Sequence, residues 1–403
     1  MNLLLRERGA ILLLIVNLFL IFTGIGLVIP VMPTYMTELG IGGSVVGLLV
    51  AAFSLTQFLF SPYAGKLSDS IGRKKIVIAG MLVFALSEWM FGAAHSVVLL
   101  FAARFLGGIG AALIMPAVMA YVADVTTNEE RAKGMGFVNA AITTGFIIGP
   151  GIGGYLAAFG IRVPFYAAAV AGLVAAAVTA LLLAEPSRAP QPAVREPVTE
   201  RGQDSLLKQL RLSYREPFFP ALLLVFVLTF GLANYETLFG LFVDHKFGFT
   251  PKDIAFVITF GSIAGAVVQA TVFGSILNRF GEQRVISLCL LAGGVFVLLS
   301  LLVGGFWSIF AVTLFLFLSI DILRPAIGVQ MSRMGEDRQG YVAGLNSAFT
   351  SLGNIVGPIA GGVLFDVNVN APYSLAAVVL LAGYAMTVFA GKERRSSRYE
   401  GVR

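Results

Sequence analysis

The stretch GFIIGPGIGG, from Gly145 to Gly154, occurs again as GNIVGPIAGG from Gly353 to Gly362. The shared glycines and the proline of the two copies stand in register at an offset of 208 residues. Two further pairs repeat at offsets of 209 and 207: Gly65–Lys75 with Gly274–Arg284, and Arg131 and Asn139 with Arg338 and Asn346. Three matches in the same order indicate that one structural unit has been duplicated.

The chain around these repeats is too apolar for a water-soluble fold. Of its 403 residues, 57% are hydrophobic and only 12% are charged, and the mean hydropathy is +0.88. Soluble proteins have about a quarter of their residues charged, so the soluble classes are excluded. Most of the chain therefore lies in lipid.

Twelve apolar segments have the length of about 20 residues that a membrane-spanning helix needs. They lie near residues 10–31, 44–64, 76–95, 97–122, 134–158, 162–184, 218–243, 252–276, 284–304, 306–331, 340–365 and 371–391. Thr250, Pro251 and Asp253 form an N-cap, a first-turn proline and an acidic third position, which predict the start of the eighth segment. The sequence thus predicts an all-α membrane protein with 12 transmembrane helices in two pseudo-symmetric six-helix bundles.

A polar segment from Glu185 to Pro217 separates the two halves. We predict a first bundle over residues 1–187, a cytoplasmic linker over 188–217, and a second bundle with a basic tail over 218–403. Within the linker, apolar side chains recur near helical spacing opposite basic ones: Leu206, Leu207, Leu210 and Tyr214 against Lys208, Arg211 and Arg215. This pattern suits either a short helix on the inner membrane surface or a solvated helix.

Lysine and arginine are concentrated in alternate loops. Only Arg162, Lys246 and Lys252 fall in the opposite set. Because cytoplasmic loops carry the excess of basic residues, both termini and the linker are predicted to be cytoplasmic. The net charge of +6 is therefore a topology signal, and no nucleic-acid module accompanies it.

The sequence lacks the residue patterns of a metal site or an enzyme. Cys289 is the sole cysteine, and His95 and His245 stand alone near predicted outer loops. A metal site needs a cluster of ligands, and no nucleophile with a base and no phosphate-binding loop is apparent. We therefore expect no metal, no cofactor and no enzymatic activity.

Several motifs resemble signatures of the major facilitator superfamily, and they extend over almost the whole chain. In the first half they are GIGLVIPVMP (Gly24–Pro33), GKLSDSIGRKK (Gly65–Lys75), the set Arg104, Gly107, Gly108 and Gly110, and the set Gly145, Gly149, Pro150, Gly153 and Gly154. In the second half they are NYETLFGLF (Asn234–Phe242) and DILRPAI (Asp321–Ile327). Together they resemble the superfamily's 12-helix drug:proton antiporters, the NorA-type bacterial quinolone and multidrug efflux pumps.

The resemblance implies a cytoplasmic latch between the second and fourth spans. Its residues would be Gly65, Asp69, Gly72, Arg73, Lys74 and Asp124. Such a latch would stabilise the outward-open state and break when the two halves rock. Arg73 and Lys74 can also serve simply as a positive-inside anchor. The second-half copy has Asn278 where the first has Asp69, so the latch is expected to be asymmetric.

Gly145, Gly149, Pro150, Gly153 and Gly154 match the fifth-helix signature of antiporters, which we call the antiporter motif. Small residues at fourfold spacing permit close helix packing, and packing alone is the plainer explanation. The complete motif, however, is specific to exporters in the superfamily and so favours export. Arg104 matches an arginine that the superfamily places inside the membrane. There it needs a partner or a wet cavity, and we expect it to assist proton release or to balance charge.

Glu236 and Asp321 match the acidic residues that the efflux pumps carry in their seventh and tenth helices, and we call them the coupling pair. Ionisable groups within spans are costly and usually face a cavity. Asp321 can instead form a static salt bridge with Arg324, three residues along the same helix face. Glu236 has no basic residue at helical spacing. A structural hydrogen bond is expected for a further acidic residue, Glu88.

Aromatic side chains near these charges are candidates for an adaptable drug pocket: Tyr235, Phe239 and Phe317. The resemblance implies proton-driven export of amphipathic, often cationic drugs by a monomer in a bacterial inner membrane. The predicted partners are drugs, protons and the lipid bilayer, with no nucleic acid. Transport of another small molecule, such as a sugar, a metabolite or a lipid-linked substrate, is the alternative.

Overall fold

The computed structural model of the chain describes residues 6–186, 210–216, 218–334 and 339–400, and no strand occurs in these ranges. The helices of the first half are α1 (Arg6–Val28), α2 (Met32–Glu38), α3 (Gly43–Ile71), α4 (Arg73–Gly92), α5 (Val97–Val125), α6 (Asn128–Leu156) and α7 (Val163–Leu182). Those of the second half are α8 (Phe219–Phe247), α9 (Pro251–Thr271), α10 (Phe273–Phe280), α11 (Glu282–Leu302), α12 (Phe306–Met334), α13 (Gln339–Val367) and α14 (Ala371–Glu400).

Twelve of these helices are long and apolar enough to cross a membrane, and α2 and α10 are the short ones within the described ranges. The prediction of an all-α membrane protein with 12 transmembrane helices is confirmed. The capping of the eighth span is confirmed as well. The amide of Asp253 donates to Thr250 Oγ1 at 3.3 Å, and the amide of Thr250 donates to Asp253 Oδ2 at 2.9 Å.

Some helix ends differ from the predicted ones. The first span ends at Val28 instead of near residue 31, because Pro30 disfavours helix in the residue before it. A separate short helix, α2, follows the predicted span at Met32–Glu38, with Pro33 in its first turn. The second span continues to Ile71, so Gly65 and Asp69 lie within a helix. In the second half the corresponding region is broken between Thr271 and Phe273.

The described residues form two compact units. The first consists of residues 6–186 with 248–259, and the second of residues 210–247 with 260–400. The core of the first unit is apolar, with Leu14, Leu18 and Val118 fully buried. Of the linker helix predicted near Leu206 to Tyr214, the described part from residue 210 to 215 is helical, and the rest lies outside the described residues.

The repeated glycine motif packs two helices in each unit. A Cβ on Gly149 of α6 would lie 2.6 Å from the carbonyl oxygen of Thr23 in α1. The matching Gly357 of α13 would place a Cβ 2.6 Å from the carbonyl oxygen of Phe230 in α8. Since no side-chain carbon approaches an oxygen that closely, both contacts require glycine. The repeat therefore holds α6 on α1 and α13 on α8.

Candidate functional site

Three of the predicted latch residues meet where α3 and α5 end and α4 begins. Arg73 Nε donates to Asp124 Oδ2 at 3.0 Å, and Arg73 Nη1 lies 2.5 Å from Asp69 Oδ1. The Arg73 side chain is 12% exposed, against 26% for Asp124 and 66% for Asp69. Asp124 is thus the better shielded partner. Ser68, which the sequence analysis did not include, accepts a further bond from Arg73 Nη1 at 3.1 Å.

The remaining latch residues have different surroundings. Gly72 joins α3 to α4 at a φ of 113°, a backbone conformation that favours glycine. A Cβ at Gly72 would also lie 2.6 Å from Glu185 Oε1, so the end of the first predicted bundle packs against the latch. Gly65 faces open space, and Lys74 is half-buried with no ion pair among the described residues. Only the glycine at position 72 is required by the local geometry.

The antiporter motif lies along one face of α6. Its Gly145 and Gly153 pack on α1, where a Cβ at Gly145 would lie 2.8 Å from the Thr23 amide nitrogen and one at Gly153 would overlap the Leu27 carbonyl. Gly154 packs on the first turn of α9, where its Cβ would lie 3.0 Å from the Pro251 carbonyl oxygen. The motif therefore serves close backbone packing within the first unit.

Arg104 of α5 lies over an aromatic ring. Its guanidinium carbon is 4.3 Å from the centroid of Phe91 in α4, and its Nε has no hydrogen-bond partner among the described residues. Phe91 is held in turn by Tyr35, whose hydroxyl donates to the Phe91 carbonyl at 2.8 Å. Burial raises the pKa of Tyr35, so that its hydroxyl stays a donor. The arginine thus has a cation–π contact in place of an ion pair.

Glu88, for which a structural hydrogen bond was expected, does not make one at Oε2. The residue is 5% exposed, and Oε2 is without a partner in the described part of the chain. Arg104 acts on it electrostatically, but the two groups form no direct ion pair in these ranges. The expectation for Glu88 is wrong because the neighbouring α5 offers a cation at longer range and no donor in contact.

The coupling pair lies in the second unit with Arg324. Glu236 is exposed in the middle of α8, Asp321 is half-buried on α12, and both Asp321 and Arg324 act electrostatically on Glu236. The static salt bridge considered for Asp321 is not found, since Arg324 makes no direct ion pair with it in the described part of the chain. Glu236, Asp321 and Arg324 thus interact electrostatically without direct contact among the described residues, and we call them the charged group.

Two glycines of α9, which no motif had predicted, lie against Phe317 and Asp321 of α12. A Cβ at Gly261 would lie 2.6 Å from the Phe317 ring, and one at Gly265 would overlap the Asp321 carboxylate. Phe317 and Asp321 are four residues apart on α12, as are the two glycines on α9, so the pairs stack in register. The available signal in the sequence was GSIAG at residues 261–265, whose two glycines stand four residues apart and so share a helix face.

The aromatic residues predicted to line a pocket are mostly core residues in this conformation. Tyr235 is 2% exposed, stacks on Phe239 with the ring centroids 5.5 Å apart, and its hydroxyl lies 3.3 Å from Thr313 Oγ1. The cavity beside Tyr235 measures about 10 Å³, which is room for a single water at most. Phe317 alone among the three is half-buried.

Twelve apolar helices, one helix-packing motif repeated in two units, and ionisable side chains within the spans are the features of a polytopic membrane transporter. A family model described as Major Facilitator Superfamily matches residues 14–270 and 221–402. The chain belongs to that superfamily, as its motifs predicted.

Two relatives match the chain over almost its whole length. The chain is 47% identical over 384 residues to Multidrug resistance protein 2 of Bacillus subtilis (strain 168), with 95% of each chain covered. It is 40% identical over 388 residues to the Quinolone resistance protein NorA of Staphylococcus aureus (strain MRSA252), covering 96% of this chain and 97% of that one.

Among solved structures, a bacterial homologue of the human lysosomal transporter Spinster, inward-facing and occupied, matches with a TM-score of 0.74 at 15% identity, covering 95% of this chain and 96% of that chain. The nucleoside transporter NupG matches with a TM-score of 0.72 at 14% identity, covering 97% and 98%. At such identities the similarity concerns the fold alone.

Proposed function

We propose that the protein is a proton-coupled antiporter that exports amphipathic, often cationic drugs by alternating access. The observation that carries this proposal is the charged group of the second unit, in which the accessible Glu236 is electrostatically linked to Asp321 and Arg324. The relatives named for multidrug and quinolone resistance, at 47% and 40% identity, support drugs as the substrates.

Competition for these carboxylates explains how proton and drug movements are coupled. A carboxylate within a span is costly unless a proton or another cation neutralises it. Protons and a cationic drug therefore exclude each other at Glu236 and Asp321, and each lowers the affinity for the other by the same factor. Because the Arg324 guanidinium offsets one of the two carboxylate charges, a single proton or cationic drug neutralises the rest. Protons entering down their gradient then drive the drug outward.

The latch and the antiporter motif are proposed to govern the conformational change. Asp69 and Asp124 hold Arg73 while the latch is formed, and the latch breaks as the two halves, residues 1–187 and 218–403, rock about the linker. The packing of Gly145, Gly149 and Gly153 supports a rigid α1–α6 pair within the first half.

The same proposal specifies location and assembly. We place the protein as a monomer in a bacterial cytoplasmic membrane, with both termini in the cytoplasm, in accord with the distribution of Lys and Arg. It needs no cofactor, and no group of ligands suited to a metal occurs in the described ranges. Transport requires no covalent chemistry, so no enzymatic activity is proposed.

The experiment is dye transport in everted membrane vesicles with an acidified lumen. The parent protein is expected to accumulate a cationic dye, whereas Glu236→Gln and Asp321→Asn are expected to lose most accumulation. Glu38→Gln, an exposed carboxyl at the end of α2, is the matched control and is expected to behave as the parent.

Two results would contradict the proposal. Uptake of a sugar or metabolite without any dye transport would favour the alternative substrate class. Dye accumulation that persists in both neutral variants, together with drug-evoked proton release from the purified proteins, would place the coupling site elsewhere.

A further inference from the structure

In the first unit, the buried Glu88 of α4 and the half-buried Arg104 of α5 form no ion pair with each other among the described residues. Glu88 is 5% exposed, and its Oε2 has no partner in the described part of the chain. Arg104 likewise keeps an unpartnered Nε. Buried polar atoms are normally hydrogen-bonded, and a buried charge is normally paired. The unpartnered atoms of Glu88 and Arg104 therefore cost free energy, and an exchange of partners during transport would account for them.

Arg104 is kept off Glu88 by an alternative contact. Its guanidinium lies 4.3 Å from the ring centroid of Phe91, which stands three residues after Glu88 on the same face of α4. Phe91 is fixed by its stack on Phe165, with the centroids 5.3 Å apart, and by the bond from the Tyr35 hydroxyl to its carbonyl. The guanidinium therefore lies on a fixed ring about one helical turn from Glu88 on α4.

The helix backbones around Glu88 have little freedom to supply another partner. A Cβ on Gly107 of α5 would lie 3.2 Å from Ser87 Oγ, and one on Gly110 would lie 3.0 Å from the Phe84 amide nitrogen. Ser87 itself donates to the Phe84 carbonyl at 2.8 Å. The helices α4 and α5 are therefore in close contact directly before Glu88.

The other ionisable groups on the helices that pack against α4 lie at other positions or have partners of their own. On α7, Tyr166 lies against Gly92, one turn beyond Glu88, and on α3 the charged residues Lys66 and Asp69 stand at the latch end. On α5, Tyr121 donates to the Ala184 carbonyl and Asp124 pairs with Arg73. Among the described residues, Arg104 is the charged group that acts on Glu88.

We propose that Glu88 is a second proton-binding site, in which a proton on the carboxyl and the Arg104 guanidinium replace each other. With Arg104 on Phe91, the Glu88 carboxyl holds the proton. When the guanidinium turns to Glu88, the ion pair forms and the proton leaves to water. This inference rests on the proton coupling proposed above and adds a site in the other half of the chain, separate from Glu236 and Asp321.

The test is infrared difference spectroscopy of the purified full chain across a range of pH. A carbonyl band of a protonated carboxylic acid is expected to titrate in the parent and in the double variant Glu236→Gln/Asp321→Asn, and to be missing in Glu88→Gln. Glu88→Asp, which keeps the acid, is expected to shift the band, so the assignment does not depend on one variant. Glu38→Gln is the control and leaves the band unchanged.

A second variant tests the exchange itself. Phe91→Leu keeps an apolar side chain but removes the ring on which the Arg104 guanidinium lies. Arg104 is then expected to pair with Glu88, and the carbonyl band of protonated Glu88 is expected to weaken at neutral pH. If Glu88→Gln retains every titrating band of the parent, or if Phe91→Leu leaves the Glu88 band unaltered, the inference is wrong. A titrating Glu88 band in a parent that shows no drug-evoked proton release would instead remove the proposed coupling and leave the proton site standing.

Discussion

The Asp321 carboxylate lies directly against the backbone of Gly265, and the Arg104 guanidinium lies on the ring of Phe91. Neither charge forms a direct ion pair in the described ranges, in contrast to Arg73 at the latch, which has two. A charge without a fixed counter-ion can change its partner at little cost, whereas a paired one must first break its bond. At the residue scale, the charged side chains of Asp321 and Arg104 are thus able to exchange one partner for another.

The contact of Gly265 with Asp321 leads to our first prediction. Gly265→Ala forces the carboxylate out of its position, and overpacking of this kind costs roughly 1–3 kcal/mol of stability. Thermal unfolding should show this loss, and proton-driven dye accumulation should fall sharply. Gly328→Ala on α12, where a Cβ meets nothing within 4 Å, is the control and should be neutral or slightly stabilising. The double variant Gly265→Ala/Asp321→Ala should recover stability without transport; if it does not, the overlap is not the cause.

The second prediction concerns Arg104→Lys. Lysine keeps the positive charge but lacks the planar group that stacks on Phe91, so the cation should leave the ring. We expect serious loss of dye transport at matched membrane abundance. Full activity in this variant would reduce Arg104 to a generic counter-charge, and it would also weaken the exchange inferred for Glu88.

At the scale of helices, the same contacts recur in both halves with different consequences. The antiporter motif and its copy hold α6 on α1 and α13 on α8. The latch is not duplicated in this way, because α3 runs unbroken to Ile71 whereas α9 ends at Thr271 and a separate α10 follows. The antiporter motif thus has a structural counterpart in the second half, whereas the latch does not.

For the latch we expect Asp124→Asn to slow turnover more than Asp69→Asn. Asp124 is 26% exposed and bonds Arg73 at Nε, whereas Asp69 is 66% exposed, and an exposed ion pair contributes about 1 kcal/mol or less. Initial rates and dye affinities at matched abundance measure this, and affinity should stay near that of the parent in both variants. Equal rates in the parent and both variants would remove the latch role.

For the antiporter motif we expect Gly153→Ala to separate α6 from α1. Its Cβ would overlap the Leu27 carbonyl, and the resulting strain should lower stability by roughly 1–3 kcal/mol. Gly136→Ala is the matched control on the same helix, since a Cβ there meets nothing within 4 Å. Equal unfolding temperatures for the two variants would show that the close approach is not needed.

At the scale of the whole molecule, the positions of Lys and Arg predict which side of the membrane is the inner one. Ser70 lies near the latch end of α3, and His95 lies in the opposite loop beside Arg162, with His95 Nε2 3.3 Å from Arg162 Nη1. Both residues are exposed. They therefore report on opposite faces of the membrane.

In a Cys289→Ser background, His95→Cys should react with a membrane-impermeant maleimide in intact cells. Ser70→Cys should react only after the cells are permeabilised, because the positive-inside rule places that end in the cytoplasm. Labelling in the reverse pattern would invert the proposed topology and place the termini outside.

The number of spans, the duplicated unit, the superfamily and the meeting of Asp69, Arg73 and Asp124 follow from the sequence. The spans depend on local composition, the duplicated unit on the spacing of repeated motifs, and the superfamily and the latch residues on motifs that resemble those of the family. The cap at Thr250 and Asp253 is of the same kind, since its bonds join residues three apart.

Only the tertiary structure decided which side chains face which neighbours. Gly265 beneath Asp321, Glu185 against Gly72, and Arg104 on Phe91 rather than on Glu88 join segments distant in sequence. The burial of Tyr235 and Phe239 depends equally on neighbouring helices. Helical spacing shows which residues share a face, but the rotation and separation of packed helices determine what that face meets, and these are set by the summed packing of the unit.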